Sequence, residues 1–201
     1  MVAQRRESPQ LLRQRFPNGV ADGEEVGQFA RQAELQERDV AISYSIYDVF
    51  TRQKLAGNPL AVMFGAENLD DAAMQAIARE MNLSETVFVG KSDNPAYAAS
   101  LRIFTPASEL PFAGHPTVGT AIAIAEANHP DDDVDMVAVL EEKVGPVRCA
   151  IRIRQGEPGF AEFDLPRKSS RVHLPLDQAQ LADAIGLATS QIGFENHVSS
   201  I

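Results

Sequence analysis

The distribution of apolar and polar residues divides the chain near residue 41. From there on the pattern predicts regular elements. Tyr44 to Thr51 alternates, with Tyr44, Ile46 and Asp48 on one face and Ser45, Tyr47 and Val49 on the other, as a strand requires. Pro59 to Phe64 is a short apolar run after Gly57 and reads as a second strand. Met74, Ile77, Ala78 and Met81 recur at helical spacing, and Asp70 is placed to cap the first turn, which predicts an amphipathic helix. Strands over Glu85 to Val89 and Ala99 to Phe104 follow, separated by a turn-forming stretch with Asp93, Asn94 and Pro95. Thr117 to Ala127 differs from the first helix, because its apolar residues cover nearly the whole circumference. Such a helix is buried at the centre of a domain, and Gly119, Ala121, Ala123 and Ala125 let strands approach its axis. Met136 to Glu142 and Val147 to Arg154 alternate around Gly145 and Pro146 as a hairpin, with Val147, Cys149, Ile151 and Ile153 on one face. Phe160 to Leu165 starts another strand, and Leu181, Ala184, Ile185 and Leu187 mark a short helix. The fold class read from this pattern is α+β, a sheet wrapped on a central buried helix.

Residues 1–41 look different. They are rich in Gln, Arg and Glu and carry the breakers Pro9, Pro17, Gly19 and Gly23, so they are expected to bury too little apolar surface to offset ordering entropy and to form a disordered tail. Residues 42–155 are expected to form one lobe. Residues 156–201 are too few for a second core and read as the incomplete start of another lobe.

Charge and cysteine content narrow the function classes. A net charge of −10 repels polyanions, which argues against nucleic acid and anionic membrane partners and leaves a small molecule. Only Cys149 is present, which excludes an intrachain disulfide and fits a reducing, cytoplasmic setting. The chain shows no apolar run of membrane-spanning length. Asp131, Asp132, Asp133 and Asp135 lack the ligand spacing of a cation loop, and the four histidines show no metal-like spacing, so no metal site is expected.

Two places carry candidate chemistry. Leu83, Glu85, Val87 and Val89 fall on one face by period two. If that face looks into the core, the Glu85 carboxyl is desolvated and pushed toward the range useful for proton transfer. If it opens to solvent at the strand end, Glu85 is an ordinary polar residue. The second place is Glu109 to Thr120, where Gly114 permits an unusual turn, Pro116 suits a first helical turn and a buried helix starts at His115. The free amides of that helix start form a ready site for a substrate carboxylate. The competing reading is a plain helix start with His115 as a satisfied polar residue.

The segments YDVFTRQKLAGNPLAVMF, AREMNLSETVFV and LRIFTPASELPFAGHPTVGTA, in this order, resemble the signature segments of the PhzF family of phenazine biosynthesis proteins. The resemblance runs from about Tyr44 to Ala127. It implies a diaminopimelate-epimerase-like fold of two similar lobes, a proton-shuttling glutamate at Glu85, a substrate-side histidine at His115, close backbone approach at Gly114, and a position near the cleft at Asn58. Asn58 before Pro59 also suits a turn-stabilising role, and Glu109 reads as structural. The activity implied is cofactor-independent isomerisation of a small carboxylate-bearing substrate, in proteins that pair as homodimers. The family's second-lobe segment has no counterpart between Phe160 and Ile201, so the expectation is a chain inactive alone. A non-catalytic binding or dimerising remnant is the alternative. A thiol racemase of the same broad fold needs two facing cysteines, and the single Cys149 argues against it.

Overall fold

The computed structural model describes residues 1–6, 10–16, 38–168 and 176–192. The chain divides into two units, Met1–Pro166 and Arg167–Ile201. Among the described residues, the first unit holds ten strands: β1 (Val2–Arg5), β2 (Gln10–Phe16), β3 (Arg38–Val49), β4 (Asn58–Phe64), β5 (Glu85–Gly90), β6 (Ala99–Phe104), β7 (Glu109–Leu110), β8 (Val134–Glu142), β9 (Gly145–Ile153) and β10 (Gly159–Phe163). It also holds helices α1 (Asp71–Met81) and α2 (Gly114–Asn128). β2 pairs with β3 and β7 with β6, and the other eight strands form a closed ring in the order β1, β10, β9, β8, β6, β5, β4, β3. Among the described residues, only β4–β5 and β6–β8 are parallel pairs.

Closure depends on β1. Val2 pairs with Phe160 of β10, and Ala3 pairs with Val49 of β3. This corrects the expectation of a tail across the first residues. β1 contributes a single fully buried side chain, Ala3, so it is held by backbone pairing on both sides, which apolar composition does not register. Gln10–Phe16 likewise pairs with the first half of β3. The rest of the expected tail, residues 7–9 and 17–37, lies outside the described residues. The lobe boundary also moves: β10 pairs with β9 and belongs to the first unit, rather than opening a second lobe at residue 156.

α2 runs inside the ring and touches β1, β3, β4, β5, β8, β9 and β10. Eleven consecutive residues from His115 to Ala125 are buried. Gly119 shows why small residues are needed: a Cβ there would lie 2.5 Å from Leu60 Cδ2 and 2.9 Å from Val49 Cγ2. The strands' inward residues, among them Val87, Leu101, Leu140 and Cys149, pack on the helix as one core, and each large aliphatic buried there contributes roughly 1.5–3 kcal/mol. A second core lies on the outer side of β3, β4, β5 and β6, where α1 packs Met74, Ile77 and Ala78 against Met63 and Phe88. The Asp70 carboxylate accepts from the Ala73 amide at 2.8 Å and caps α1; Asn82 ends it in the left-handed region at φ 50°.

In the second unit, α3 (Gln178–Ala184) begins with a capping box between Asp177 and Gln180. A single 3₁₀ turn follows at Thr189–Gln191. Among the described residues, no helix is long and apolar enough to cross a membrane.

Candidate active site

The parallel pairing of β4 and β5 brings their starting ends together, with Leu60 opposite Glu85. The same end of the ring receives the N-terminus of α2. Asn58 opens β4, Glu85 opens β5 and His115 lies in the first turn of α2, so three residues distant in sequence meet at one place. His115 Nε2 lies 3.2 Å from Glu85 Oε2, with the two side chains 8% and 16% exposed. The ring N–H is not aligned on the carboxylate oxygen, and neither atom has a hydrogen-bond partner among the described residues. They face each other without being committed to each other.

The other ring nitrogen is held. Ser84 Oγ donates to Asn58 Oδ1 at 3.2 Å, and Asn58 Nδ2 lies 3.1 Å from His115 Nδ1. With the Asn58 amide placed as donor, Nδ1 accepts and a neutral ring carries its proton on Nε2; the Pro59 carbonyl, which can only accept, favours the opposite tautomer with the proton on Nδ1. Asn58 is thus a partner of His115 rather than only a turn former. Burial raises the Glu85 carboxyl above its ordinary range. Burial also lowers His115, with the Pro59 carbonyl acting in the opposite direction. Both shifts favour the uncharged forms over an ion pair.

Phe50 flanks the pair from the β3–β4 connection, its ring edge-on to His115 at 6.3 Å. It is half exposed and has φ 64°, a conformation a bulky residue adopts only when held there. The holding contacts are its amide to the Val2 carbonyl at 2.7 Å and, below it, the buried Asp48 carboxylate. Asp48 takes the Leu55 amide at 2.7 Å and Arg6 at 2.6 Å. Burial works to raise Asp48, but Arg6 and the Leu55 amide outweigh it and hold the carboxyl below its usual range.

Two expectations for this region are corrected, and Glu109 has the structural role expected of it. Leu83 does not share the face of Glu85, because β5 starts at Glu85; Leu83 instead packs with the α1 core. Gly114 is not in the left-handed region and needs no unusual backbone turn; it is the first residue of α2, and a Cβ there would come within 3.4 Å of the Phe163 ring. Glu109 is engaged by Arg102 at 2.8 Å and by Lys143, and the Arg102 hydrogen bond holds its carboxyl low. Among the described residues, no group of three or more His, Cys, Asp or Glu side chains is placed to hold a metal ion.

Sequence reasoning missed Phe50 and a second buried carboxyl, Glu142. Glu142 follows Met136, Ala138 and Leu140 at period two, so a charge in the inward phase of an apolar strand was the available signal.

A family model described as phenazine biosynthesis-like protein (PhzC-PhzF) matches residues 47–200. An uncharacterised isomerase of Mesorhizobium japonicum is 54% identical over 155 residues, covering 77% of this chain and 50% of that protein. Trans-2,3-dihydro-3-hydroxyanthranilate isomerase of Pseudomonas fluorescens is 42% identical over 153 residues, covering 76% of this chain and 52% of that protein. Among solved structures, a predicted epimerase of Pseudomonas aeruginosa superposes with TM-score 0.60 at 34% identity, over 75% of this chain and 52% of that one. The chain thus spans about half the length of the curated relatives it matches. With a family model covering most of its length, and with named isomerases among its relatives, the chain belongs to the phenazine biosynthesis-like (PhzF) family.

Proposed function

We propose that this family member is an isomerase that moves a proton between two positions of a small carboxylate-bearing substrate, with Glu85 as the group that carries it. The observation behind this reading is the buried, mutually uncommitted Glu85–His115 pair at 3.2 Å, at the start of an enclosed helix. The leading amides of α2, Gly114 and His115, have no intrahelical acceptor and suit a substrate carboxylate. Glu85 in its ionised form removes a proton from a carbon activated by an adjacent unsaturated or carbonyl group. The electron pair left behind shifts the double bond, and the protonated Glu85 returns the proton at the new position. Nothing is oxidised or reduced, and the carboxyl ends as it began. His115 Nε2–H stabilises the carboxylate form of Glu85 during the transfer, while Asn58 and Ser84 keep the ring oriented. The substrate class follows the P. fluorescens relative, whose name specifies a dihydro-hydroxyanthranilate.

The test uses that compound in D2O, followed by NMR, with the chain alone and with a form completed by a relative's remaining half. The completed form is expected to place solvent deuterium at the new C–H, and Glu85→Gln to slow its turnover roughly 10²–10⁴-fold, the usual span for a general acid–base group. Equal turnover by Glu85→Gln and the unsubstituted protein would overturn the assignment. A form that binds the compound without turnover would favour a binding lobe instead.

A further inference from the structure

The first turn of α2 meets a second carboxyl that the proposed proton transfer does not use. Glu142, the last residue of β8, is 5% exposed. Its Oε1 lies 2.7 Å from Thr117 Oγ1, and that hydroxyl lies 2.8 Å from the Ala113 carbonyl oxygen. A hydroxyl carries one hydrogen and cannot donate to two acceptors at once. Both short contacts are satisfied together only when Glu142 Oε1 carries a proton: Glu142 then donates to Thr117, and Thr117 donates to Ala113. Oε2 has no partner among the described residues. An unpartnered buried oxygen is far less costly on a neutral acid than on a carboxylate.

We propose that Glu142 is a positioning residue: as a neutral acid it closes a relay through the Thr117 hydroxyl to the Ala113 carbonyl, fixing the helix turn that carries His115. Ala113 is the N-terminal cap of α2 and has no side-chain capping bond of its own. Its carbonyl takes the Thr117 amide at 3.1 Å as well as the Thr117 hydroxyl. The relay therefore ties both ends of the segment Ala113–Thr117, in which His115 is the middle residue. Its importance for turnover rests on the reading of His115 above; its existence does not.

The surroundings make the relay pH-sensitive. Burial pushes Glu142 up to about 7; a Thr117 hydroxyl turned to donate to the carboxylate acts against burial, and in the relay that hydroxyl is turned to Ala113 instead. On α2 the facing group is Thr117. On β9 it is the buried Cys149 thiol, pushed up to about 12 by burial, then by the charges of Glu142 and Asp164. On β8 itself, the neighbouring Glu141 accepts from Ser92, and Lys143, just beyond the strand, is turned to Glu109 of β7. Among the described residues, no charged side chain contributes to the Glu142 shift.

The experiment is an NMR pH titration of the chain, following the amides of His115 and Thr117 and the imidazole of His115. The unsubstituted protein should show an amide midpoint near 7 in addition to the imidazole's own titration. Glu142→Gln, whose amide donates to Thr117 at every pH, should lose that midpoint while keeping the low-pH amide positions. Thr117→Val should lose it too, with the amides displaced at all pH values. Glu85→Gln should retain the midpoint, which separates failure of the relay from failure of the proton-transfer reading. Identical titrations of the unsubstituted and Glu142→Gln proteins would overturn the proposal. So would a midpoint that disappears in Glu85→Gln instead.

Discussion

Two carboxyl groups flank the first turn of α2, and burial raises both, yet they face different partners. Glu85 sits at the start of β5, a little exposed, with a titratable nitrogen 3.2 Å away and no committed hydrogen bond. Glu142 sits at the end of β8, more deeply enclosed, and its close partner is a hydroxyl already aimed at a backbone carbonyl. What faces a buried carboxyl, more than the burial itself, decides whether its proton is available for transfer or tied up in positioning a turn. Asp48 and Glu109 mark the opposite extreme, because arginine partners hold them ionised.

The largest effect that would sharpen this contrast is on turnover. If Glu85 and His115 act as a unit, the double variant Glu85→Gln, His115→Asn should be only slightly slower than Glu85→Gln alone, each well over roughly 10²-fold below the unsubstituted protein. Losses that multiply, measured as kcat/KM in a completed form, would mean that the two act independently.

Glu142 should show itself in stability against pH. Its folded-state value is raised from 4.5 to about 7, so the fold prefers the protonated form. The stabilisation relative to an ordinary glutamate is fully present below pH 4.5 and is lost as pH rises through 7, a total of about 3 kcal/mol. Glu142→Gln cannot ionise. Chemical denaturation at pH 4.5 and pH 8.5 should show it gaining about that much on the unsubstituted protein at the higher pH. A constant difference would place the Glu142 proton elsewhere.

Thr117→Val tests the same relay with a smaller effect. Removing the hydroxyl leaves Glu142 Oε1 without its donor or acceptor, at a cost of about 1–3 kcal/mol by denaturant unfolding. Smaller still is Glu109→Gln. Its partners Arg102 and Lys143 are 29% and 57% exposed, so the loss should be under about 1 kcal/mol and should shrink in high salt. A loss as large as that of Thr117→Val would make Glu109 more than a surface anchor.

Much of this arrangement was legible in the residues. The all-round apolar character of Thr117–Ala127 identified the enclosed helix, because only burial on every side tolerates it. The alternation of β9 placed Val147, Cys149, Ile151 and Ile153 on one face, and that face packs into the core around α2. Glu85 and His115 were legible as candidates from spacing, and their meeting was expected from the family resemblance rather than from any local pattern, since it depends on the parallel register of β4 and β5 beside the end of α2. β1 was illegible for a different reason. Its contribution is backbone pairing at the seam of the ring, and four residues with one buried alanine leave no apolar signature. Phe50 was hidden because its left-handed backbone is imposed by Asp48, Leu55 and Val2, contacts that no local pattern announces.

The central claim is that Glu85 and His115 share a water-poor site that favours their uncharged forms. A titration of the Glu85 side-chain carboxyl by carbon-detected NMR, alongside the His115 imidazole, tests it most directly. A Glu85 midpoint above 4.5 and a His115 midpoint below 6.5 are expected, the directions that burial imposes. A Glu85 midpoint at or below 4.5 together with a His115 midpoint above 6.5 would reveal an ordinary ion pair and contradict it.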